Sequence, residues 1–526
     1  MGTGASSRTL HGHSTARRWA VLAVLCASLL LVGIDLTVLH IAVPTISRQL
    51  LPDATQLLWI VDSYPLTVAA LLVTFGTLAD RWGRKRMVLG GFAVFGLASA
   101  GAAASATTVQ LIVARAALGV GAAMMMAATV AVLRNVFPDR RERTLALGLW
   151  TSANSAGAAL GPLLGGLLLR YWWWGAVFLV NVPVVVLALA AGARLIPESR
   201  DPAPRRWDGL SAAISILGLG ALVFGLKRLA EPGTPDALGT TSGVLGLVLL
   251  GWFIRRQRRS THPLLELSLF SDRRFSAATL AVFVCFGCYA TLLYFATQLL
   301  QLVEGYSPLR AGLALAPLAV ASGLGAVVAP RLAARWTHRW VIAGSLAAFA
   351  AAFAGLAGTL LSTARPGAPA SAALLILAGL GAGMVMALGA DAIMTTASAD
   401  RAGQAGAIQE TSFELGSGLG IAVLGSVLAV AYRLLLPGLP DGADARARDS
   451  LGATLDFADT LGTRAEPVRY AAQQAFAQGL AVAGLAAAGM LILSAGAAGV
   501  LLGRNRPDDP IRPARHSLAQ RRCRRG

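Results

Sequence analysis

The sequence predicts an all-α polytopic membrane protein, and three observations carry that reading. Of the 526 residues 56% are hydrophobic and only 13% charged, where a soluble domain carries roughly 25% charged residues. Mean hydropathy is +0.64. The apolar residues gather in runs of about 20, the length that crosses a bilayer core. A chain this apolar takes lipid as its solvent, so the lipid bilayer is its first expected partner. The formal charge of +19 lies in loops between the runs, which excludes a nucleic-acid surface as its explanation.

Fourteen runs are legible: 19–43, 57–79, 87–106, 109–133, 144–168, 175–196, 209–229, 239–254, 275–302, 309–330, 339–361, 370–396, 405–432 and 475–502. The first is too long for a cleaved signal peptide, contains Asp35, and precedes thirteen more spans. Arg and Lys concentrate in alternate loops, at Arg81-Trp82-Gly83-Arg84-Lys85-Arg86, Arg140-Arg141-Glu142-Arg143, Arg255-Arg256-Gln257-Arg258-Arg259 and the tail Arg521-Arg522-Cys523-Arg524-Arg525. The positive-inside rule puts these loops and both termini in the cytoplasm of a bacterial inner membrane. Abundant Arg, Ala and Gly with almost no Lys fit a GC-rich bacterial genome.

An internal repeat organises the spans. Leu78-Ala79-Asp80-Arg81-Trp82 follows the second span and Leu332-Ala333-Ala334-Arg335-Trp336 the tenth; Gly157 and Gly161 in the fifth echo Gly416 and Gly420 in the thirteenth. Two matches in one order argue for two homologous six-helix halves. The expected division is a cytoplasmic N-terminal segment 1–18, a six-helix bundle 19–200, an inserted helix pair 201–260, a second six-helix bundle 261–502 and a basic cytoplasmic tail 503–526. Within the second bundle, 433–474 is a long external segment with Asp441, Asp444, Asp449, Asp456, Asp459 and Glu466. A surface helix over 443–461 that caps the outer mouth and a tolerated insertion both remain open, the plainer insertion being preferred.

Three motifs carry mechanism. Gly76-Thr77-Leu78-Ala79-Asp80-Arg81-Trp82-Gly83-Arg84-Lys85-Arg86 fills the loop between spans two and three. Gly76 and Gly83 permit a tight turn. Asp80 is suited to accept hydrogen bonds from a helix N-terminus or from an arginine of the other half, while Arg81 and Arg84 supply positive charge. Gly157-Ala158-Ala159-Leu160-Gly161-Pro162-Leu163-Leu164-Gly165-Gly166 gives span five a flat face and, at Pro162, a missing backbone donor. Arg115 in span four stays charged and needs a partner. It lies about 9 Å from the outer end of its span, and Asp35 about 12 Å from the outer end of span one, so the two are placed to pair.

The first motif resembles the signature of the major facilitator superfamily, G-x-L-a-D-r-x-G-r-k, and the second the g-x-x-x-G-P-x-x-G-G motif of its antiporters. With Gly33-Ile34-Asp35-Leu36-Thr37 in span one, Trp59-Ile60-Val61-Asp62-Ser63-Tyr64 opening span two and Trp207-Asp208-Gly209 opening the inserted pair, the chain resembles the fourteen-span drug:proton antiporters, closest to the quaternary-ammonium multidrug exporters. The resemblance runs over nearly the whole chain. It implies the major facilitator fold, two six-helix bundles plus two inserted helices, working by alternating access. It departs at Leu118, where many members have glutamine, and at Ser322, where some relatives place a further acid; the handling of doubly charged drugs is therefore open.

The resemblance also links acids at or near Asp391, Glu410 and Glu414 to substrate and proton handling. Glu410 and Glu414 are four apart and share a helix face, about 8 Å and 14 Å above the inner end of span thirteen. Five acids (Asp35, Asp62, Asp391, Glu410, Glu414) then stand against one intramembrane base, Arg115. Such a surplus favours organic cations or protons. Tyr64, Phe286, Tyr289, Tyr294, Phe295 and Phe413 could offer aromatic faces to a bulky cation. His40 reads as a satisfied interfacial histidine rather than a titrating group. Cys285 and Cys288 form a C-x-x-C in an apolar run without a second pair, so no metal, redox role or cofactor is expected.

The function expected is proton-coupled export of amphipathic, cationic drugs such as quaternary ammonium compounds and dyes, by a monomer with no nucleic-acid partner. An exporter of an endogenous natural product or antibiotic is the alternative. A polytopic membrane enzyme is remote, because no nucleophile motif or metal-ligand spacing is present.

Overall fold

Lipid leaves a spanning backbone no partner but itself, so helices carry the whole fold. The computed structural model describes residues 15–200, 208–229, 237–260, 263–362, 368–396, 402–440, 448, 450–462 and 465–502. The expected N-terminal segment lies mostly outside these, as do the basic tail, Trp207, Asp441, Asp444 and Asp449.

The helices are α1 (Thr15–Leu50), α2 (Ala54–Trp82), α3 (Arg84–Ala103), α4 (Thr108–Val136), α5 (Arg140–Tyr171), α6 (Ala176–Leu195), α7 (Gly209–Leu229), α8 (Ala237–Arg259) and α9 (Arg273–Val303, ending in a π turn). Next comes a 54-residue helix, Pro308–Leu361. If straight it would be about 81 Å long, well over twice a bilayer core. Its backbone leaves helical dihedrals at Trp336 (φ −126°, ψ 19°) and Thr337 (φ 59°, ψ 143°). Beyond that point the chain doubles back: Gly325 and Ser345, on opposite sides of the break, both approach residues 380–381. Its arms, 308–336 and 337–361, are α10 and α11. They are followed by α12 (Ala368–Thr396), α13 (Ala402–Leu435), the short α14 (Leu451–Thr460) and α15 (Ala465–Leu501). Thirteen helices among the described residues are long and apolar enough to cross a membrane; counting Pro308–Leu361 as two gives the fourteen spans the sequence predicts.

Two glycine contacts repeat the same joint in each half. A Cβ on Gly33 would strike the Asn154 carbonyl, and one on Gly157 the Leu30 carbonyl, so α1 and α5 touch backbone to backbone. Likewise a Cβ on Gly416 would strike the Phe283 carbonyl and one on Gly420 the backbone of Gly287, which seats α13 on α9. Fifth on first and thirteenth on ninth is the internal repeat in three dimensions. The halves meet along α2–α13, where Gly418 and Gly425 sit against Leu66 and Leu58, and along α5–α10, where Gly166 sits against Leu309 and Gly312 against the Pro162 carbonyl. The antiporter-type motif therefore has two faces: Gly157, Gly161 and Gly165 pack within their own half, while Pro162 and Gly166 meet the other.

The inserted pair forms its own hairpin. Gly225 abuts Gly243 and Gly246 abuts Leu222. Asp208 caps α7 through Ser211 and accepts from Arg256 at the end of α8, Nε–Oδ2 3.0 Å. Partial burial works against the Asp208 charge, but the hydrogen bonds from Arg256 and Ser211 hold its carboxyl down at about 2. α7 leans on both halves at once, with Leu219 and Val223 against Leu66 of α2 and Ala422 of α13.

The segment 433–474, expected to be external, carries a short packed helix within its described residues. Ser450 caps α14, whose Leu451, Thr454 and Ala458 are buried. Thr454 shares a 2.6 Å hydrogen bond with Tyr432 at the end of α13. Gly452 lies against Ser47 of α1, in the opposite half.

Replacing Gly157 by Leu should lower the thermal stability of the purified protein by roughly 1–3 kcal/mol, the usual penalty of overpacking. The same change at Gly148, which has open space around it, should leave the melting curve in place. Equal melting curves for the two variants would show that the α1–α5 contact is not tight.

Candidate functional site

One end of the molecule gathers the basic loops. Arg18 pairs with Glu142 at 2.7 Å, tying α1 to α5. Lys85 Nζ donates to the Ala193 carbonyl at 2.7 Å, and the Arg84 amide to that of Ser199 at 2.9 Å, so the motif loop docks on the end of α6. We call this the basic face.

The loop differs from expectation in one respect. Asp80 accepts from Arg84, Nη2–Oδ1 2.8 Å, four residues away in its own half. Among the described residues it does not reach an arginine of the other half. Gly83 takes φ +116°, which an L side chain rarely adopts, and a Cβ there would also strike the Glu198 carboxylate. Glu198 in turn sits 3.6 Å from Arg86. Gly76 has open space around it, and Arg81 closes the last turn of α2. In this structure the signature loop is a clasp within the first half.

Toward the opposite face, α1, α2 and α4 enclose a charged cluster. Arg115 is 1% exposed; its Nη1 pairs with Asp35 Oδ2, and its Nε donates to the Ile60 carbonyl at 3.2 Å. Its guanidinium carbon stands 4.7 Å from the centre of the Tyr64 ring. Tyr64, fully buried, lies on α2 where that helix meets α13.

Across this joint stands Glu414 of α13, 4% exposed. Arg115 and Tyr64 are both within Coulombic range of it. Its Oε2, the Tyr64 hydroxyl, Asp35 Oδ1 and the Ser417 hydroxyl are buried without a hydrogen-bond partner among the described residues. These groups leave polar capacity unspent inside the bundle. Glu410, one turn below, is half-buried. Beside it Phe413 and Phe286 are tilted together at 5.0 Å between ring centres, and Phe286 stacks on Tyr289 at 6.4 Å. Ser322 lies next to Tyr289. Tyr294 and Phe295 pack at 5.8 Å.

Asp391 does not join this group. It is more than half exposed near the C-terminal end of α12, and its Oδ2 lies 3.4 Å from His338 Nε2 beside the α10–α11 turn. That pair belongs to the basic face. His40 is not a satisfied histidine among the described residues: it is 1% exposed, 6.1 Å from the Tyr294 ring, with neither ring nitrogen hydrogen-bonded.

The count of one intramembrane base also needs correction. Lys227 of α7 is fully buried, with Nζ 2.8 Å from Asp62 Oδ2. In the sequence Lys227 sits at the end of an apolar run beside Arg228, where basic residues commonly anchor a helix to the interface. Only the fold shows that it turns inward, to an acid 165 positions earlier.

Comparison with known proteins agrees with this architecture. Residues 25–421 match the profile of the Major Facilitator Superfamily. The chain is 38% identical over 507 residues to the multidrug efflux pump LfrA of Mycolicibacterium smegmatis, covering 96% of this chain and 99% of that one. It is 37% identical over 484 residues to the methyl viologen resistance protein SmvA of Salmonella typhimurium, covering 91% and 97%. It is 32% identical over 416 residues to a tetracenomycin C resistance and export protein of Streptomyces glaucescens, covering 78% and 76%. Among solved structures, a bacterial homologue of the human lysosomal transporter Spinster superposes with a TM-score of 0.63 over 93% of this chain and 98% of that one, at 17% identity. Fourteen spans in six, two and six, the clasped signature loop and a profile match over most of the length have one reading: this chain belongs to the major facilitator superfamily, and it is a multi-pass membrane transporter, not an enzyme.

Proposed function

We propose that the chain is a proton-coupled antiporter that exports amphipathic, cationic drugs by alternating access. The observation that carries this reading is Glu414, a buried carboxylate with an unpartnered oxygen at the joint between the halves. A carboxylate at that depth is costly to keep charged without a partner. A proton or an organic cation removes that cost, and the two cannot both do so at once, which is the competition that antiport requires. Glu410 one turn away adds a second acid, and Phe286, Tyr289 and Phe413 add aromatic faces for a bulky cation. Asp35, held by Arg115, tunes the field of the site and takes part in proton passage. The names of the relatives support drug export: one is a multidrug efflux pump and another a methyl viologen resistance protein.

The basic face is proposed to be cytoplasmic, with both termini on that side, following the positive-inside rule. The transporter is proposed to work as a monomer. A second reading, export of an endogenous antibiotic, is favoured by the tetracenomycin C relative. Competition between dyes and host metabolites for the same flux separates the two.

The deciding experiment uses purified protein in liposomes with an imposed pH gradient. Monovalent cations should move against the proton flux, and collapse of the gradient should stop them. Binding of a monovalent cation to the solubilised protein should release protons, and the release should fall in Glu414→Gln. Full proton release in the Glu410→Gln, Glu414→Gln double variant would return the coupling role to Asp35.

Orientation is checked with single cysteines. A cysteine at Ser450 should react with an impermeant thiol reagent added outside cells, and one at Ser260 should not; the reverse pattern would invert the proposed topology. Asp80→Asn keeps the side-chain shape and loses the charge-assisted bond to Arg84. It should insert normally yet transport at a small fraction of the wild-type rate. Wild-type flux would reduce the loop to a topological signal.

A further inference from the structure

Lys227 is the buried ionisable group that the proposed transport cycle leaves unused. Its Nζ lies 2.8 Å from Asp62 Oδ2, with both side chains fully buried, and 4.0 Å from the centre of the Trp59 ring. A carboxylate and an aromatic face are the two contacts by which proteins hold an organic ammonium group. The walls are apolar, from Leu66, Leu219, Val223 and Ala422. An ammonium has three donors, yet neither Lys227 Nζ nor either Asp62 oxygen makes a well-aligned hydrogen bond among the described residues. The seat holds positive charge with capacity left over. It borders the joint between the halves, because Tyr294 of α9 is within Coulombic range of Asp62.

We propose that Asp62 and Trp59 form an ammonium subsite and that Lys227 is its resident occupant, a tethered cation that limits how many positive charges a substrate brings to the joint. The proposal rests on the reading of that joint as an organic-cation site. With Lys227 in place Asp62 is neutralised, and Glu414 is the buried acid left to meet a substrate's charge. With Lys227 removed, two carboxylates face the joint and a dication gains a second seat. Lys227 is thus a specificity-determining residue, carried by the inserted pair rather than by either half.

The test is equilibrium binding to the full-length protein in lipid nanodiscs, with tetraphenylphosphonium as monocation and methyl viologen as dication. Lys227→Met should bind methyl viologen about tenfold or more tightly than wild type, as a newly available buried charge contact implies. Its affinity for tetraphenylphosphonium should change far less. Lys227→Arg, which keeps the charge, should retain the wild-type preference. The double variant Lys227→Met, Asp62→Asn should return to wild-type dication affinity, because the freed carboxylate is gone. A role confined to holding α7 in place predicts lower stability in Lys227→Met with no gain for the dication, and that result overturns the proposal. So does a gain that persists in the double variant. If Lys227→Met is not recovered folded, the dication affinity of Lys227→Gln decides by the same criterion. Wild-type protein that binds neither cation would overturn the cation site itself, and this proposal with it; wild-type binding with an unmoved Lys227→Met or Lys227→Gln overturns the proposal alone.

Discussion

The fold depends on backbones that touch. In lipid, apolar side chains gain nothing from leaving one hydrocarbon surface for another, so helices associate through close van der Waals contact and polar links. Gly33 against α5 and Gly287 against α13 provide that contact at matching places in the two halves. Each brings two helix axes close enough that no Cβ fits between them. The residues of the candidate site stand on these joined helices or on helices packed against them: Asp35 on α1, Glu414 on α13, and Arg115 and Tyr64 on helices that pack against α1 and α13. A site whose polar groups lie on α1, α2, α4 and α13 keeps its distances only if those helices keep theirs.

Charge inside the bundle follows the same logic of scarcity. Arg115 cannot shed its charge, so it collects Asp35, the Ile60 carbonyl and the Tyr64 face. Removing one partner of such a buried pair costs about 3–5 kcal/mol. Glu414 has no such retinue: its Oε2 is open among the described residues, beside the likewise open Tyr64 hydroxyl, Asp35 Oδ1 and Ser417 hydroxyl.

Much of this was legible in the sequence. The spans were, because crossing a bilayer demands about 20 apolar residues and nothing in the fold can relax that demand. The α10–α11 turn was too, since the apolar runs break near Trp336 although the backbone hardly pauses there. The Arg115–Asp35 pair followed from matching depth and a guanidinium that must be neutralised. What failed was the inference of direction. An acid inside an apolar run was read as pointing inward, yet Asp391 turns to the rim and pairs with His338. The sequence counts Arg115 as the single intramembrane base, yet Lys227, at the end of an apolar run, turns inward to Asp62. Helix rotation is set by packing against partners far away in sequence, and a single span does not encode it. Asp80 lies in the loop the motif predicts and meets the start of α3, through the side chain of its first residue Arg84 rather than through an arginine of the other half, because the turn at Gly83 brings Arg84 back to it.

The seat of α7 has a mechanical consequence. That helix rests on α2 and α13, which belong to different halves, so it cannot ride rigidly with both in the rocking motion that the proposed alternating access requires. Its two contacts are unlike. On the α2 side an ion pair and an aromatic face are added to the aliphatic contact with Leu66. On the α13 side its neighbours are the smooth aliphatic surfaces of Ala422, Leu415 and Leu419. An ion pair resists displacement, whereas an aliphatic surface offers one shallow van der Waals position after another. In the proposed cycle the inserted pair would therefore stay with the first half, to which the ion pair ties it, and cover the outside of the joint as the aliphatic surface of α13 slides beneath it.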